Sequence, residues 1–155
     1  MLTTRKVGLR RLLQLAKRLE TVPPCKFNMR MWIQQPSDDK DYYGHDALPS
    51  SCHTSGCAMG WACCIPAFRR LGLRLSSERK NTHNDVFPNV PYYKGALGEY
   101  AAAKLFRITV DEAIALFADR RTFSFTPKEE AAYIRKFVGA NGIPYDWLRY
   151  LDHAR

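Results

Sequence analysis

The residues best equipped to bind or react lie in one short run, Cys52-His53-Thr54-Ser55-Gly56-Cys57-Ala58-Met59-Gly60-Trp61-Ala62. Three chemistries fit it. The first is anion binding. Ser55, Gly56 and Cys57 fall where a helix should begin, so their free N–H groups and the positive end of the helix dipole suit a phosphate or carboxylate. Thr54 and Ser55 add hydroxyl donors, and Gly56 lets a ligand approach the backbone. Arg69, Arg70 and Arg74 would complete the charge, and Tyr42, Tyr43, Tyr92 and Tyr93 would stack on a base. The second is metal binding, with Cys52, His53 and Cys57 joined by His45 or His83 as a four-ligand zinc set. The spacing argues against it, because there is no Cys-x-x-Cys pair. The third is nucleophilic catalysis. Cys57 at a helix N-terminus would have a lowered pKa, with His45, His53 or His83 as base. A plainer alternative is equally concrete: Thr54 or Ser55 caps the helix, Gly60 allows close packing and Trp61 fills the core.

Positioning such a site requires a scaffold, and the pattern of apolar residues predicts a helical one. Leu9, Leu12, Leu13, Ala16 and Leu19 form one face of a helix over 4–20, with Thr4 as its N-cap and Pro23-Pro24 beyond its end. A helix should follow the motif through Cys63-Cys64. Pro66 either kinks it or opens a second short helix, and Gly72 stops it. Leu71, Leu73 and Leu75 alternate, which suits one short strand. Further helices are expected over 95–106, over 110–118 with Thr109 as cap, and from Thr126-Pro127 to Gly139, followed by a last short one over 143–151. Phe27, Met29 and Met31 suggest a short extended segment. Residues 34–51 and 76–95 read as two long loops. The fold expected is mainly α: residues 1–155 as a single compact helical domain with two long loops and a short β element.

Charge narrows the partners. The chain has 155 residues, 24 Lys and Arg against 15 Asp and Glu, and a net charge of +9. That surplus favours an anionic partner and argues against a calcium-buffer role. It is not evenly spread: residues 1–20 carry +5, residues 66–80 carry +4, and the remainder sums to zero. Specific duplex reading looks unfavourable. Ala102 to Thr109 resembles the first half of a helix-turn-helix, but the following segment begins with Asp111 and Glu112 and would repel phosphate. Non-specific nucleic-acid binding through the helix over 4–20 stays open. No run approaches the roughly 18 apolar residues of a membrane span, so no membrane partner is expected. Lys17 and Arg18 interrupt any secretory apolar stretch. Five cysteines, an odd number, suggest reduced thiols in a cytoplasm.

The run Cys52-x-Thr54-x-x-Cys57-x-x-Gly60-Trp61-Ala62 resembles the hallmark of an uncharacterised family of small bacteriophage and bacterial proteins. Those proteins carry a Cys-x-Thr-x-x-Cys-x-x-Gly-(Trp or His)-Ala motif at a helix start. Similar surroundings are Phe27-Asn28-Met29-Arg30-Met31-Trp32, the stretch from Ile65 to Leu73, and that from Phe106 to Phe117. The family motif usually has Gly in place of His53. The resemblance implies a phage setting and a host-cytoplasmic location, and supplies no catalytic residues.

Together these features point to a small basic binding protein, without catalytic residues or a resident cofactor. It would capture an anionic ligand, either a nucleotide-like signal or an acidic host partner, and so counteract host defence. The candidate ligand-binding residues are Thr54, Ser55, Gly56, Cys57, Trp61, Arg69, Arg70, Tyr92 and Tyr93. The alternatives are a cysteine- or zinc-dependent enzyme using the Cys52–Cys57 region and a nucleic-acid-binding accessory protein.

Overall fold

Helix α1 (Thr4–Leu19) turns Gly8, Leu12, Leu15, Ala16 and Leu19 into the interior. The structure is a computed structural model and describes residues 4–29, 33–34, 55–76, 90–119 and 122–143. The buried stripe of α1 is not the one its leucines suggested. Leu9 and Leu13 are only half-buried, and Leu15 takes the central place. The reason is Gly8, which faces the C-terminal end of α4 (Gly98–Phe106) so closely that a Cβ there would collide with the Phe106 carbonyl. That approach sets the rotation of α1, and the stripe at 8, 12, 15 and 19 follows from helical periodicity.

Helix α1 packs on α6 (Pro127–Ala140), on α4 and on α2 (Ala58–Ala62). A short 3-10 turn over Pro24–Lys26 follows α1. The expected helix through the cysteine pair divides. Helix α2 ends at Ala62 and α3 (Pro66–Arg70) begins with Pro66 as its first residue. The extended backbone of Ile65 suits the residue before a proline. Gly72 closes α3 at φ +100. The N–H of Gly72 bonds the Arg69 carbonyl at 2.9 Å and that of Leu73 bonds the Phe68 carbonyl at 3.0 Å. This double bond pattern is the Schellman stop that a glycine permits.

Two small antiparallel sheets complete the frame. Strands β1 (Ile33–Gln34) and β2 (Ser55–Gly56) pair with each other. Strands β3 (Arg74–Ser76), β4 (Val90–Tyr93) and β5 (Ala96–Leu97) form the second sheet, with β4 in the centre. Lys94 and Gly95, at φ 47 and 80, form the two-residue turn between β4 and β5, the backbone that a tight hairpin requires. The end of the expected loop over 76–95 is therefore strand, and the helix expected from 95 begins at Gly98 instead. Residues 35–54 and 77–89, with the helix expected over 143–151, lie outside the described residues apart from Ile143.

Helix α5 (Val110–Phe117) and α6 each open with a full capping box. Thr109 pairs with Glu112, and Thr126 with Glu129. The core runs through Phe68, Phe106, Phe117 and Phe137, each at most 2% exposed. The Tyr133 hydroxyl donates to the Ala115 carbonyl at 2.9 Å, tying α6 to α5. The protein is thus mainly α with a short β element.

Alanine favours a helix over glycine by about 1 kcal/mol, but at position 8 the added methyl meets backbone that cannot move alone. Gly8→Ala is expected to lower unfolding free energy by about 1–3 kcal/mol, the range of overpacked cores, in chemical denaturation. Unchanged or increased stability would contradict the close approach.

Candidate functional site

The motif is built differently from a helix N-terminus that offers free amides. Ser55 and Gly56 lie in β2, opposite Gln34 and Ile33. The cap residue of α2 is Cys57, with extended backbone and no side-chain cap bond. Cys57, and not Ser55, is the cap residue, and α2 spans only five residues. Cys52, His53, Thr54, His45 and His83 lie outside the described residues. Among the described residues no cluster of three or more His, Cys, Asp or Glu side chains could hold a metal.

Cys57 is 1% exposed. Burial pushes its thiol up to about 12, against the opposing pull of the Gly60 and Met59 backbone amides, and the nearby Glu130 carboxyl adds to the rise. The expectation of a lowered thiol pKa is therefore overturned. Desolvation of the thiolate outweighs the helix-start amides in so short and so enclosed a turn. Burial also drives Cys63 well up and Cys64 to about 11.

Trp61 is 2% exposed, and its indole N–H donates to the Lys26 carbonyl at 3.1 Å. The Arg18 guanidinium lies over its ring at 5.4 Å. Trp61 is a core anchor with its one polar atom satisfied. Tyr93 is also core, at 3% exposed, because inward and outward side chains alternate along β4. Its neighbour Tyr92 is half-buried and carries the Arg74 guanidinium 4.5 Å from its ring centre. The two tyrosines expected on a loop are thus divided by a strand: one fills the core and the other supports an arginine.

The second basic segment does form a concavity. Cys63, Arg69, Gly72, Leu73, Arg74 and Leu75 line a cavity of about 320 Å³ between the end of α2, α3 and β3. Among the described residues its lining holds two arginines and no carboxylate. Arg70 is exposed and is not part of this lining. Of the candidate ligand-binding residues, the structure places Arg69 in the cavity and Tyr92 beneath its other arginine. Cys57, Trp61 and Tyr93 are not among its lining residues.

The basic first helix divides as well. Arg5 makes a bidentate pair with Glu112 at 2.7 and 2.8 Å and reaches the Asn141 carbonyl at 3.0 Å. Burial raises the Glu112 carboxyl, but the Arg5 and Thr109 hydrogen bonds outweigh it and hold it below the usual range. Arg11 donates to the Leu105 carbonyl at 2.7 Å. With Arg18 on Trp61, three of the six bases between residues 1 and 20 hold the fold together.

One residue escaped the sequence reading. Glu130, in the first turn of α6, is 0% exposed, and neither carboxylate oxygen has a hydrogen-bond partner. Burial drives its carboxyl well above the usual range. A signal existed: Glu130 shares the helical stripe of Ile134 and Phe137, at spacings of four and seven. Its place in a first turn, where acids are common, concealed it.

No family model, curated protein or solved structure matches the chain. Among the described residues no helix is long and apolar enough to cross a membrane.

Two outcomes test this geometry. Brief maleimide treatment at pH 7, read by peptide mass mapping, should label exposed Cys25 and spare Cys57 and Cys63 until the protein is denatured. Labelling of Cys57 as fast as Cys25 would contradict its enclosure. Glu130 should make stability fall with rising pH. Its folded carboxyl titrates above its unfolded one, so its contribution is complete below the unfolded value of about 4.3 and is lost as pH rises towards the folded value. Glu130→Gln should therefore match the parent near pH 4 and exceed it in stability at pH 7–8, by urea denaturation. Parallel pH profiles for the two proteins would exclude a buried ionisable carboxyl.

Proposed function

We propose that this is a non-catalytic binding protein that captures a small anionic ligand in the cavity between α3 and β3. The observation that carries the reading is the pair Arg69 and Arg74 in a single lining. Guanidinium groups in a partly apolar recess attract phosphate strongly and recognise its oxygens in a fork geometry. The volume of about 320 Å³ lies at the low end of small-molecule sites. The Tyr92 ring beneath Arg74 restrains that guanidinium. Leu73, Leu75 and Cys63 supply the apolar part.

A nucleotide-like anion has both the charge and the planar apolar portion that this recess complements. The bacteriophage resemblance of the sequence supports a role in withdrawing such a signal from host defence, in the host cytoplasm. Catalysis by Cys57 is disfavoured, because its thiol stays protonated and enclosed at neutral pH.

Titration calorimetry with linear and cyclic nucleotides and with inorganic phosphate tests the reading. At least one nucleotide should bind, and Arg74→Ala should weaken it at least about tenfold, the loss of one charge-assisted contact of roughly 1.4 kcal/mol. Its circular dichroism should be unchanged. Absence of heat with every ligand, or equal affinity after both Arg69→Ala and Arg74→Ala, would overturn it.

A further inference from the structure

We infer that the outward face of α1 is a docking surface for the phosphate backbone of a nucleic acid, distinct from the α3–β3 cavity. Three of the helix's bases are turned inward. Arg5 is held by Glu112, Arg11 by the Leu105 carbonyl and Arg18 by the Trp61 ring. The other three, Lys6, Arg10 and Lys17, are exposed. They are separated by four and seven residues, so they lie within about 40° of one another around the axis, at rises of about 6 and 10.5 Å. Gln14, also exposed, lies between them as a further donor.

This arrangement runs against the helix's own stability. Lys6 and Arg10 are like charges at i and i+4. Lys6 lies in a first turn that contains no acid, at the positive end of the dipole. Helices α5 and α6 place acids in that turn instead. No carboxylate occurs anywhere in α1. The closest acid in sequence, Glu20, is paired with Arg135 at 2.8 Å and also feels the charge of Lys17. An ordinary solvated face mixes both signs. Lys6, Arg10 and Lys17 share one side of the helix, and an anionic partner there would relieve their mutual repulsion.

The composition of the line selects the kind of partner. Its exposed members are Lys, Arg, Gln and Lys, and the one aliphatic residue on this side, Leu13, is half-buried. A protein interface draws its energy from apolar anchors. A phosphate backbone needs none, because counterion release supplies the affinity. Contacts of this kind position a duplex without reading its bases.

Fluorescence anisotropy with labelled 20-base-pair duplexes of different sequence, between 50 and 200 mM salt, tests the inference. Binding should be sequence-independent. Neutralising Lys6→Gln, Arg10→Gln and Lys17→Gln together should reduce the slope of log affinity against log salt by about 2.7, from 0.9 per phosphate for three contacts. The salt-driven change over this fourfold range should shrink by about fortyfold. The triple variant should keep its circular dichroism and its nucleotide affinity in calorimetry, which separates this surface from the cavity. No duplex binding by the parent protein, an unchanged slope in the variant, or equally tight binding of poly-glutamate would each overturn the assignment.

Discussion

The contact on which the rest of the architecture depends is the approach of α1 to the end of α4 at Gly8. Helix ends leave their last carbonyls without intrahelical partners. Here the Phe106 carbonyl rests against the bare backbone at Gly8, and the Leu105 carbonyl accepts from Arg11 one turn further on. The negative end of α4 is thus met by a glycine that makes room and an arginine that supplies charge. This contact fixes α1 in rotation. Leu12, Leu15 and Leu19 then face the core, and Arg5 reaches Glu112 in the first turn of α5 and Asn141 at the C-cap of α6. One side-chain deletion therefore determines both an apolar stripe and two polar clamps.

That constraint also changes the meaning of the cysteine motif. With α1 in place, Arg18 covers Trp61, and α2 is enclosed together with Cys57 and Cys63. The residues most suggestive of chemistry in the sequence become the support for the basic segment beyond them. The turn from α2 into α3, the glycine stop at Gly72 and the short β3 carry Arg69 and Arg74 to the edge of one recess. Charge that is adjacent in sequence becomes divided in space: Arg70 faces away, while Arg74 gains a ring partner from β4.

Much of the fold could be read locally. The capping boxes at Thr109 and Thr126, the proline at 66 and the glycine at 72 act through bonds within a few residues, and these boundaries matched expectation closely. What escaped depends on distant partners. The face of α1 is ambiguous in the sequence, because Leu9, Leu12, Leu13 and Leu15 give a broad stripe and only the α4 contact selects its centre. Tyr92 and Tyr93 read locally as loop, because β4 exists through pairing with β3 and β5 and Pro91 is an unusual strand residue. The site was only half legible. The basic segment following the motif did point to the recess, but Ser55 and Gly56 lie in a strand whose partner, Ile33–Gln34, is more than twenty residues away in sequence.

Every inward base of α1 is an arginine, and each meets a target that a flat fork or a guanidinium face suits: a carboxylate, a carbonyl, an indole ring. Lysine conserves charge but offers a point donor on a flexible stem. At positions 6, 10 and 17 only the sign of the charge matters, so arginine and lysine are equivalent there. One helix therefore follows two substitution grammars, alternating within single turns. Along lineages of this chain, drift between the two bases would be silent on the outer face and costly on the inner one, and the pattern of that drift would distinguish the two faces without any structure.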